Sequence, residues 1–500
     1  MQRYRLHALV AAAYLGTFLA SLDISIVNVG LPTLQSALNA DLAGLQWIVN
    51  VYAVALSAVM LSAGPLGDRY GHKRVWLGSV LVFVLGSIIC AVAGKLDTLL
   101  WGRAIQGIAG ALLIPGAMPI LTHAFPDPHK RARAIGGWSA CNALALISGP
   151  LLGGLLIEHV GWESIFLVNV PVGIAAALLG AWGIVERKHP DHAAFDPAGQ
   201  ALSMLWLGML SYGLIEIGEH GAAPNKVLLP LGIAAAGFIV FVWVELRVKR
   251  PLFPIQLFHN RSLALANLAS FALGFSAYSS LFFLSLFLQQ AHGSSPAIAG
   301  WQLMPQFTVM AMASLLFGRL AARFSLKLLM VAGYALVGLA LCSMAIFNPS
   351  TPFVTIGVVL AILGLGMGLS VPATGMMVMG YAPPERAGIA SATMNALRQI
   401  GMTMGIAMLG SAMSILAVRE MTRAARATGA SDAADLARNA VVHHVFSTTQ
   451  TGILDLYRAS MADGFALVMV CAGVACLSVA FLLFFFHVER ILPKGISTED

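Results

Sequence analysis

Gly64-Pro-Leu-Gly-Asp-Arg-Tyr-Gly-His-Lys73 returns 254 residues later as Gly318-Arg-Leu-Ala-Ala-Arg-Phe-Ser-Leu-Lys327, with Gly, Leu, Arg and Lys in register. Charged positions held in register separate this echo from chance likeness between Gly/Ala/Leu-rich segments. A second echo, offset by 253, aligns Arg133-Ala134 with Arg386-Ala387 and Asn142-Ala143-Leu144 with Asn395-Ala396-Leu397. The third apolar run then corresponds to the eleventh and the fifth to the thirteenth, so the chain reads as two copies of one membrane unit in tandem. A parallel repeat of this kind is the architecture of a transporter that rocks one half against the other.

Outward from the repeat, the 500 residues are 58% hydrophobic and 10% charged, which excludes both a string of soluble domains and a disordered chain. About 20 apolar residues span a bilayer as a helix. Runs bounded by charge or Gly/Pro clusters give fourteen such spans, centred near Leu19, Ala55, Leu85, Ala111, Leu146, Ala175, Leu207, Ala236, Phe275, Met310, Val337, Leu363, Gly405 and Ala475. The expected fold is an all-α polytopic membrane protein. It has a six-span half over residues 1–188, two inserted spans over 189–250, and a second six-span half over 251–500 with a long outer loop at about 420–462. Arg3 and Arg5 ahead of Leu6 to Leu22 imitate a signal peptide, but the run continues to Val29 past a single Asp and reads as the first span.

Charge orients the spans. With the amino terminus inside, the inner segments hold 20 basic residues, including Arg69, Lys73, Arg74, Lys130 and Arg323, against only Lys95 and Lys226 in the short outer loops. Both termini are expected in the cytoplasm, with the chain multi-pass in the cytoplasmic (inner) membrane. The net charge of +7 is spread over loops instead of gathered in a stripe, which argues against nucleic acid as a partner. The five cysteines lie in apolar segments without CxxC spacing, which argues against disulfides or a zinc site.

Ionisable residues deep in a span are costly and mark function by default. Asp23, Arg103 and Arg398 are the main ones. Asp23 lies roughly 10 Å before the outer end of the first span and Arg103 roughly 8 Å inside the outer end of the fourth, so the two can meet at matched depth. Such a pair is a proton switch, in which protonation of Asp23 frees Arg103; a static structural ion pair is the alternative. Arg398 follows Asn395 by one helical turn and is expected to face a cavity. Glu216, Glu219 and Glu245 fall near span ends, where headgroups or water can reach them. Phe271, Phe275, Tyr278, Met304, Met310 and Met394, with Asn142, Gln302, Gln306 and Asn395, form an expected adaptable cavity, for which ordinary apolar packing is the competing account. No G-x-x-x-x-G-K-[ST] loop, H-E-x-x-H pair or nucleophile elbow occurs, and the histidines sit mostly at loop or helix ends. The expectation is therefore a non-enzyme without cofactor or metal, driven by a proton gradient.

Several stretches resemble one family. Leu22-Asp23-Ile24-Ser25-Ile26-Val27-Asn28-Val29-Gly30-Leu31-Pro32 is similar to the first-span motif of the fourteen-helix drug:proton antiporters of the major facilitator superfamily, with Ser for the usual Thr and Gly for Ala. Gly64 to Arg74, containing Asp68, Arg69, Gly71 and Lys73, resembles the superfamily's motif between its second and third helices, with His72 in place of a basic residue. Arg103, Gln106, Gly107, Gly110 and Ala111 resemble its proton-transfer motif. Gly149-Pro150 with Gly153-Gly154 resembles its antiporter motif, and Trp162 to Pro171 resembles the opening of its sixth helix. The resemblance implies proton-coupled efflux of lipophilic drugs or toxic compounds by alternating access, in one chain acting as a monomer. A periplasmic adaptor is a conceivable further partner. Export of one metabolite, siderophore or toxin is the alternative, and a transport-inactive sensor a third. The resemblance also implies that Asp68 latches onto the start of the thirteenth span near Arg386. Family members that export dications use acidic residues in the tenth and thirteenth spans, and those spans hold none here.

Overall fold

The computed structural model describes residues 2–187, 196–220, 223–248, 258–382, 387–428, 432–446 and 452–485. Fourteen helices in it are long and apolar enough to cross a membrane. In the first half these are α1 (Tyr4–Leu38), α2 (Leu42–Met60), α3 (His72–Ala91), α4 (Leu96–Ala124), α5 (Arg133–His159) and α6 (Ser164–Gly183). The inserted pair is α7 (Pro197–Gly218) and α8 (Pro224–Glu245). The second half comprises α9 (Arg261–Ala291), α10 (Pro296–Ala321), α11 (Leu326–Ile346), α12 (Phe353–Tyr381), α13 (Ile389–Ala427) and α14 (Ile453–Phe485). Each expected span centre falls inside its helix. The reason is physical: in a medium that cannot hydrogen-bond the backbone, an apolar run satisfies its own N–H and C=O groups only as a helix.

Short polar caps start the helices where the apolar runs begin. Asp41 accepts from Gly44 N at 2.7 Å and Asp127 from Lys130 N at 2.8 Å. Asn260 accepts from Ser262 and Leu263 N ahead of α9. Ser295, followed by Pro296 at the first helical position, caps α10. Gly71, at φ +103°, ends the short helix Ala63–Tyr70 and opens α3. Glu186, from beyond α6, then accepts from the free N–H groups of Lys73 and Arg74 at 3.1 and 3.2 Å. Helix α9 is wound unevenly, with π-turns at Gly274–Tyr278 and Phe287–Ala291.

Within the first half α1 packs on α5 and α6, α2 on α4, and α3 on α4. In the second half α10 and α11 pack on α12, α13 on α9 and α14, and α11 on α14. Helices α7 and α8 pair with one another, and α7 lies against both α2 and α13 at the edge of the bundle.

The halves meet at one end. Call the face where α1 begins the terminal face and its opposite the distal face. Backbone carbonyls of Pro296 and Pro150 come so close to Gly154 and Gly300 that a Cβ there would lie 2.4 and 2.2 Å from them, sealing α5 against α10 near the distal face. Ser285 donates to Asn28 O, Gln289 Nε2 to Val29 O at 2.9 Å, and Gln290 Nε2 to Gln35 Oε1 at 2.6 Å, all in the distal portion of α1. Beyond the helices, Leu42 N donates to Val442 O at 3.0 Å across the halves.

Two expectations are corrected. The stretch at about 420–462 is not a long loop: α13 runs on to Ala427, a further helix covers Ala433–Val441, and α14 begins at Ile453. The stretch 411–427, rich in Ala, Met and Arg and free of Gly and Pro, has helix-forming propensity of its own and continues the helix beyond its apolar portion. Glu245 is 3% exposed instead of reaching headgroups. It is turned inward beside Asp196, both carboxylates lying within 2.7 Å of where a Gly199 Cβ would be. Glu219's side chain and Arg386 lie outside the described residues.

Candidate functional site

Asp23 sits where α1 crosses α4 and α6, and is fully buried; Arg103 is 1% exposed. The Arg103 guanidinium Nη1 donates to Asp23 Oδ2, pairing them directly. Asp23 Oδ1 accepts from Gln106 Nε2 and Asn169 Nδ2, both at 3.0 Å. Gln106 stands one turn after Arg103 on α4, and its Oε1 accepts from Arg103 Nη1 at 2.9 Å. Ser87 Oγ of α3 accepts from the same Gln106 and Asn169 amides at 2.8 and 3.3 Å. Arg103 Nε donates to Ile48 O at 3.1 Å, and its Cζ lies 4.2 Å from the centroid of the Tyr52 ring. The three side-chain donors to this carboxylate thus come from α4 and α6 and are themselves held by α2 and α3.

This arrangement answers the desolvation cost of a buried ion pair, which is met only with good geometry and further hydrogen bonds on the remaining lone pairs. It also sets a chemical condition. With both oxygens accepting from donors and the Arg103 guanidinium against Oδ2, the ionised form of Asp23 is favoured, and protonation becomes easier when the helices shift and a donor turns away. Gly149 and Gly153 bring α5 to within contact of α1 beside this point: a Cβ on Gly149 would lie 1.8 Å from Ser25 Oγ, and one on Gly153 2.7 Å from Ile26 Cγ1. The glycines therefore place the α5 backbone against the segment that carries Asp23.

Arg103 and Tyr52 also border a cavity between the halves, closed from the other side by Tyr278, Gln306, Met310, Met367 and Met402. Of the expected cavity residues, Tyr278, Gln306 and Met310 are there. Phe271 instead lines a lateral apolar cleft formed with Trp206, Phe238 and Phe241 of the inserted pair and Leu397 and Ile400 of α13. Phe275 stacks on Phe271 with centroids 6.4 Å apart. Asn142 accepts from Ser21 across the α1–α5 contact. Gln302 is buried toward the distal face, accepting from Ser294 Oγ at 3.0 Å. Asn395 Oδ1 accepts from Arg398 Nη2 at 2.6 Å, and Arg398 Cζ lies 5.1 Å from the Tyr278 ring.

Asp68, expected against the start of α13, hydrogen-bonds His72 Nε2 at 3.1 Å. Gly67 makes room for that imidazole, since a Cβ there would lie 2.5 Å from His72 Nδ1. Arg69 lies over Tyr70, Lys73 Nζ donates to Ala181 O at 2.6 Å, and Arg74 pairs loosely with Glu186 at 3.7 Å. Gly64 has open space about it.

Sequence reasoning did not assign Asn169, Ser87, Tyr52 or Glu186 to these sites. Asn169 had a usable signal, an amide side chain within the apolar run Ile165 to Val170. Ser87 and Tyr52 had none, since serine and tyrosine are ordinary residues in such helices.

The sequence profile of the Major Facilitator Superfamily matches residues 13–406. The chain is 36% identical over 397 residues to a methylenomycin A resistance protein of Bacillus subtilis, covering 79% of this chain and 85% of that one. It is 35% identical to the multidrug resistance protein Stp of Mycobacterium tuberculosis, covering 83% and 77%. With the tetracenomycin C resistance and export protein of Streptomyces glaucescens it shares 33% identity, covering 81% and 75%. A bacterial homologue of the human lysosomal transporter Spinster, solved inward-facing and unoccupied, superposes with a TM-score of 0.66 at 19% identity over 97% of each chain, a likeness of fold.

Proposed function

The chain belongs to the major facilitator superfamily and is a multi-pass membrane transporter, not an enzyme; from that premise we propose that it exports lipophilic drugs or toxic compounds in exchange for protons. Resistance and efflux proteins among its relatives support the cargo class. The observation that carries the coupling is the Asp23–Arg103 pair, buried, with three side-chain donors on the carboxylate and with Arg103 bordering the cavity between the halves.

The terminal face is cytoplasmic, on the excess of 20 basic residues over two. The distal seam then closes the cavity to the outside, so the described conformation faces inward. Asp68, held here by His72, is released to dock on α13 when the halves tilt the other way. One proton entering down 100 mV supplies about 2.3 kcal/mol, a little under two decades of substrate gradient at about 1.4 kcal/mol per decade. The cavity is enclosed by one chain, which supports a monomer as the working unit.

Purified protein in proteoliposomes, given an inward-directed proton gradient, is expected to move a lipophilic drug against its own gradient. Collapse of the proton gradient by an ionophore stops it. Uphill transport that persists with protons equilibrated, or that requires ATP, contradicts this reading. Cysteines placed at positions 69 and 323 are expected to react only with membrane-permeant reagents in intact cells.

A further inference from the structure

A second guanidinium lies inside the bundle, and among the described residues it has no carboxylate partner. Arg398 is partly exposed on α13, about 16 Å along the helix from Ala387. It donates to Asn395 Oδ1 at 2.6 Å and sits over the Tyr278 ring at 5.1 Å. No described carboxylate pairs with it. Compare Arg103, which has an amide oxygen from Gln106, a tyrosine ring from Tyr52 and the carboxylate of Asp23. The second half reproduces the amide and the ring and omits the acid.

The backbone around Arg398 is fixed. A Cβ on Gly274 would lie 1.9 Å from Arg398 O, and one on Gly401 2.1 Å from Phe271 O, so α9 and α13 are in backbone contact at the residue and one turn beyond it. Tyr278 stands in the π-turn Gly274–Tyr278 and lines the central cavity. Arg398, Met402 and Ile406 recur every four residues on one stripe of α13, and the latter two line the same cavity. Arg398 therefore stands one turn toward the terminal face from the cavity, where an incoming molecule meets it first in the described conformation. The walls beyond it on the second half are mainly apolar, with Phe307, Met310, Met367, Met402 and Ile406 beside Gln306, and the guanidinium across the cavity, Arg103, is already paired with Asp23.

An unpaired guanidinium at this depth is costly to keep and marks a substrate path. Its planar fork matches a two-oxygen anion bidentately, and a phenol ring on one face holds its plane. We propose that Arg398, steadied by Asn395 and Tyr278, is an anion-binding subsite of the transport cavity, and that the preferred substrates are lipophilic organic monoanions bearing a carboxylate. The apolar body lies among the methionines and the carboxylate on Arg398. This rests on the reading of the chain as an efflux transporter and specifies its substrate class.

The test uses the full chain in lipid nanodiscs and two probes of one shape, 1-pyrenebutyrate and the neutral 1-pyrenebutanamide, with binding measured at pH 7. A charge-assisted pair is expected to favour the acid by about tenfold or more over the amide. Arg398→Gln is expected to erase that preference by weakening the acid alone, and Arg398→Lys to keep part of it. Amide binding, unchanged in both variants, reports that they are folded. Acid binding no tighter than amide binding in the unaltered protein overturns the proposal, whatever the variants do. Equal weakening of both probes in Arg398→Gln also overturns it, since a merely structural arginine would act that way. Proton-driven export of the amide by Arg398→Gln vesicles addresses the transporter reading separately: its absence from unaltered protein and variant alike, with acid selectivity intact, counts against proton-coupled efflux and not against the anion subsite.

Discussion

Asp23 is the residue on which the account turns, because its two oxygens accept from Arg103, Gln106 and Asn169 at once. Asn169 tests whether the set acts as a unit. It touches both Asp23 and Ser87 and lies within apolar surroundings, so Asn169→Ala removes one donor and leaves the ion pair standing. A hydrogen bond to a charged group contributes about 1.5–3 kcal/mol, so proton-driven uptake into inverted vesicles is expected to fall by roughly ten- to a hundredfold while exchange at equal pH falls less. Equal loss of both rates would assign Asn169 to packing. Asp23 and Arg103 were legible in the sequence because an ionisable residue in an apolar run has few innocent explanations. Gln106 was legible through the family motif and Asn169 only as an amide in an apolar run, while Ser87 and Tyr52 were not legible, since a hydroxyl and a phenol are tolerated anywhere in such helices and only the three-dimensional crossing of α1, α2, α3, α4 and α6 selects these particular ones.

Among the elements, α5 and α10 hold the distal seam by backbone contact. Gly300→Ala would bring a methyl against Pro150 O, 2.2 Å away, and backbone cannot step aside cheaply. Overpacking costs about 1–3 kcal/mol, enough to move the conformational balance away from the distal-closed state by roughly five- to more than a hundredfold. Distances between spin labels on the distal ends of α5 and α10 are expected to lengthen in the variant; an unchanged distribution contradicts the seam. The strap that carries Val442 across to Leu42 also holds His444, at φ +54° with its ring against Phe446 and Tyr457. Burial pushes the His444 pKa below its ordinary value near 6.5. Its contribution to the strap is therefore complete above about pH 6.5 and declines as pH falls below that, when the neutral ring is forced to charge. The protection of the Leu42 amide, taken relative to the intrinsic exchange rate at each pH, is expected to fall on acidification from pH 7 toward 5 in the parent protein and much less in His444→Phe. The glycines of α5 were legible as a motif, whereas their partners on α10 were not, because a glycine does not announce which backbone it admits. The π-turns of α9 and the helical extension of α13 were equally silent, since hydropathy reads how apolar a run is and not how it winds.

At the scale of the whole molecule, the order of apolar runs and the echo of Gly64–Lys73 in Gly318–Lys327 were enough to reach fourteen helices in two halves with an inserted pair. A membrane leaves an apolar run one option, so helix number survives translation from sequence to structure. Conformation does not, because an apolar run dictates that a helix forms and not which way the two halves tilt. Only the structure places the contacts between the halves at the distal end, and in that arrangement Asp68 is found hydrogen-bonded to His72. Rocking about the cavity is what would separate Asp23 from its donors and let a proton in, which makes the carboxyl of Asp23 the link between gradient and cargo. The most direct test is Asp23→Asn in proteoliposomes, with and without an imposed proton gradient. The account predicts that the variant still exchanges substrate across the membrane at equal pH but accumulates none against a gradient at any pH. Uphill pumping by Asp23→Asn with an unchanged pH response would contradict it and place the coupling proton on another residue.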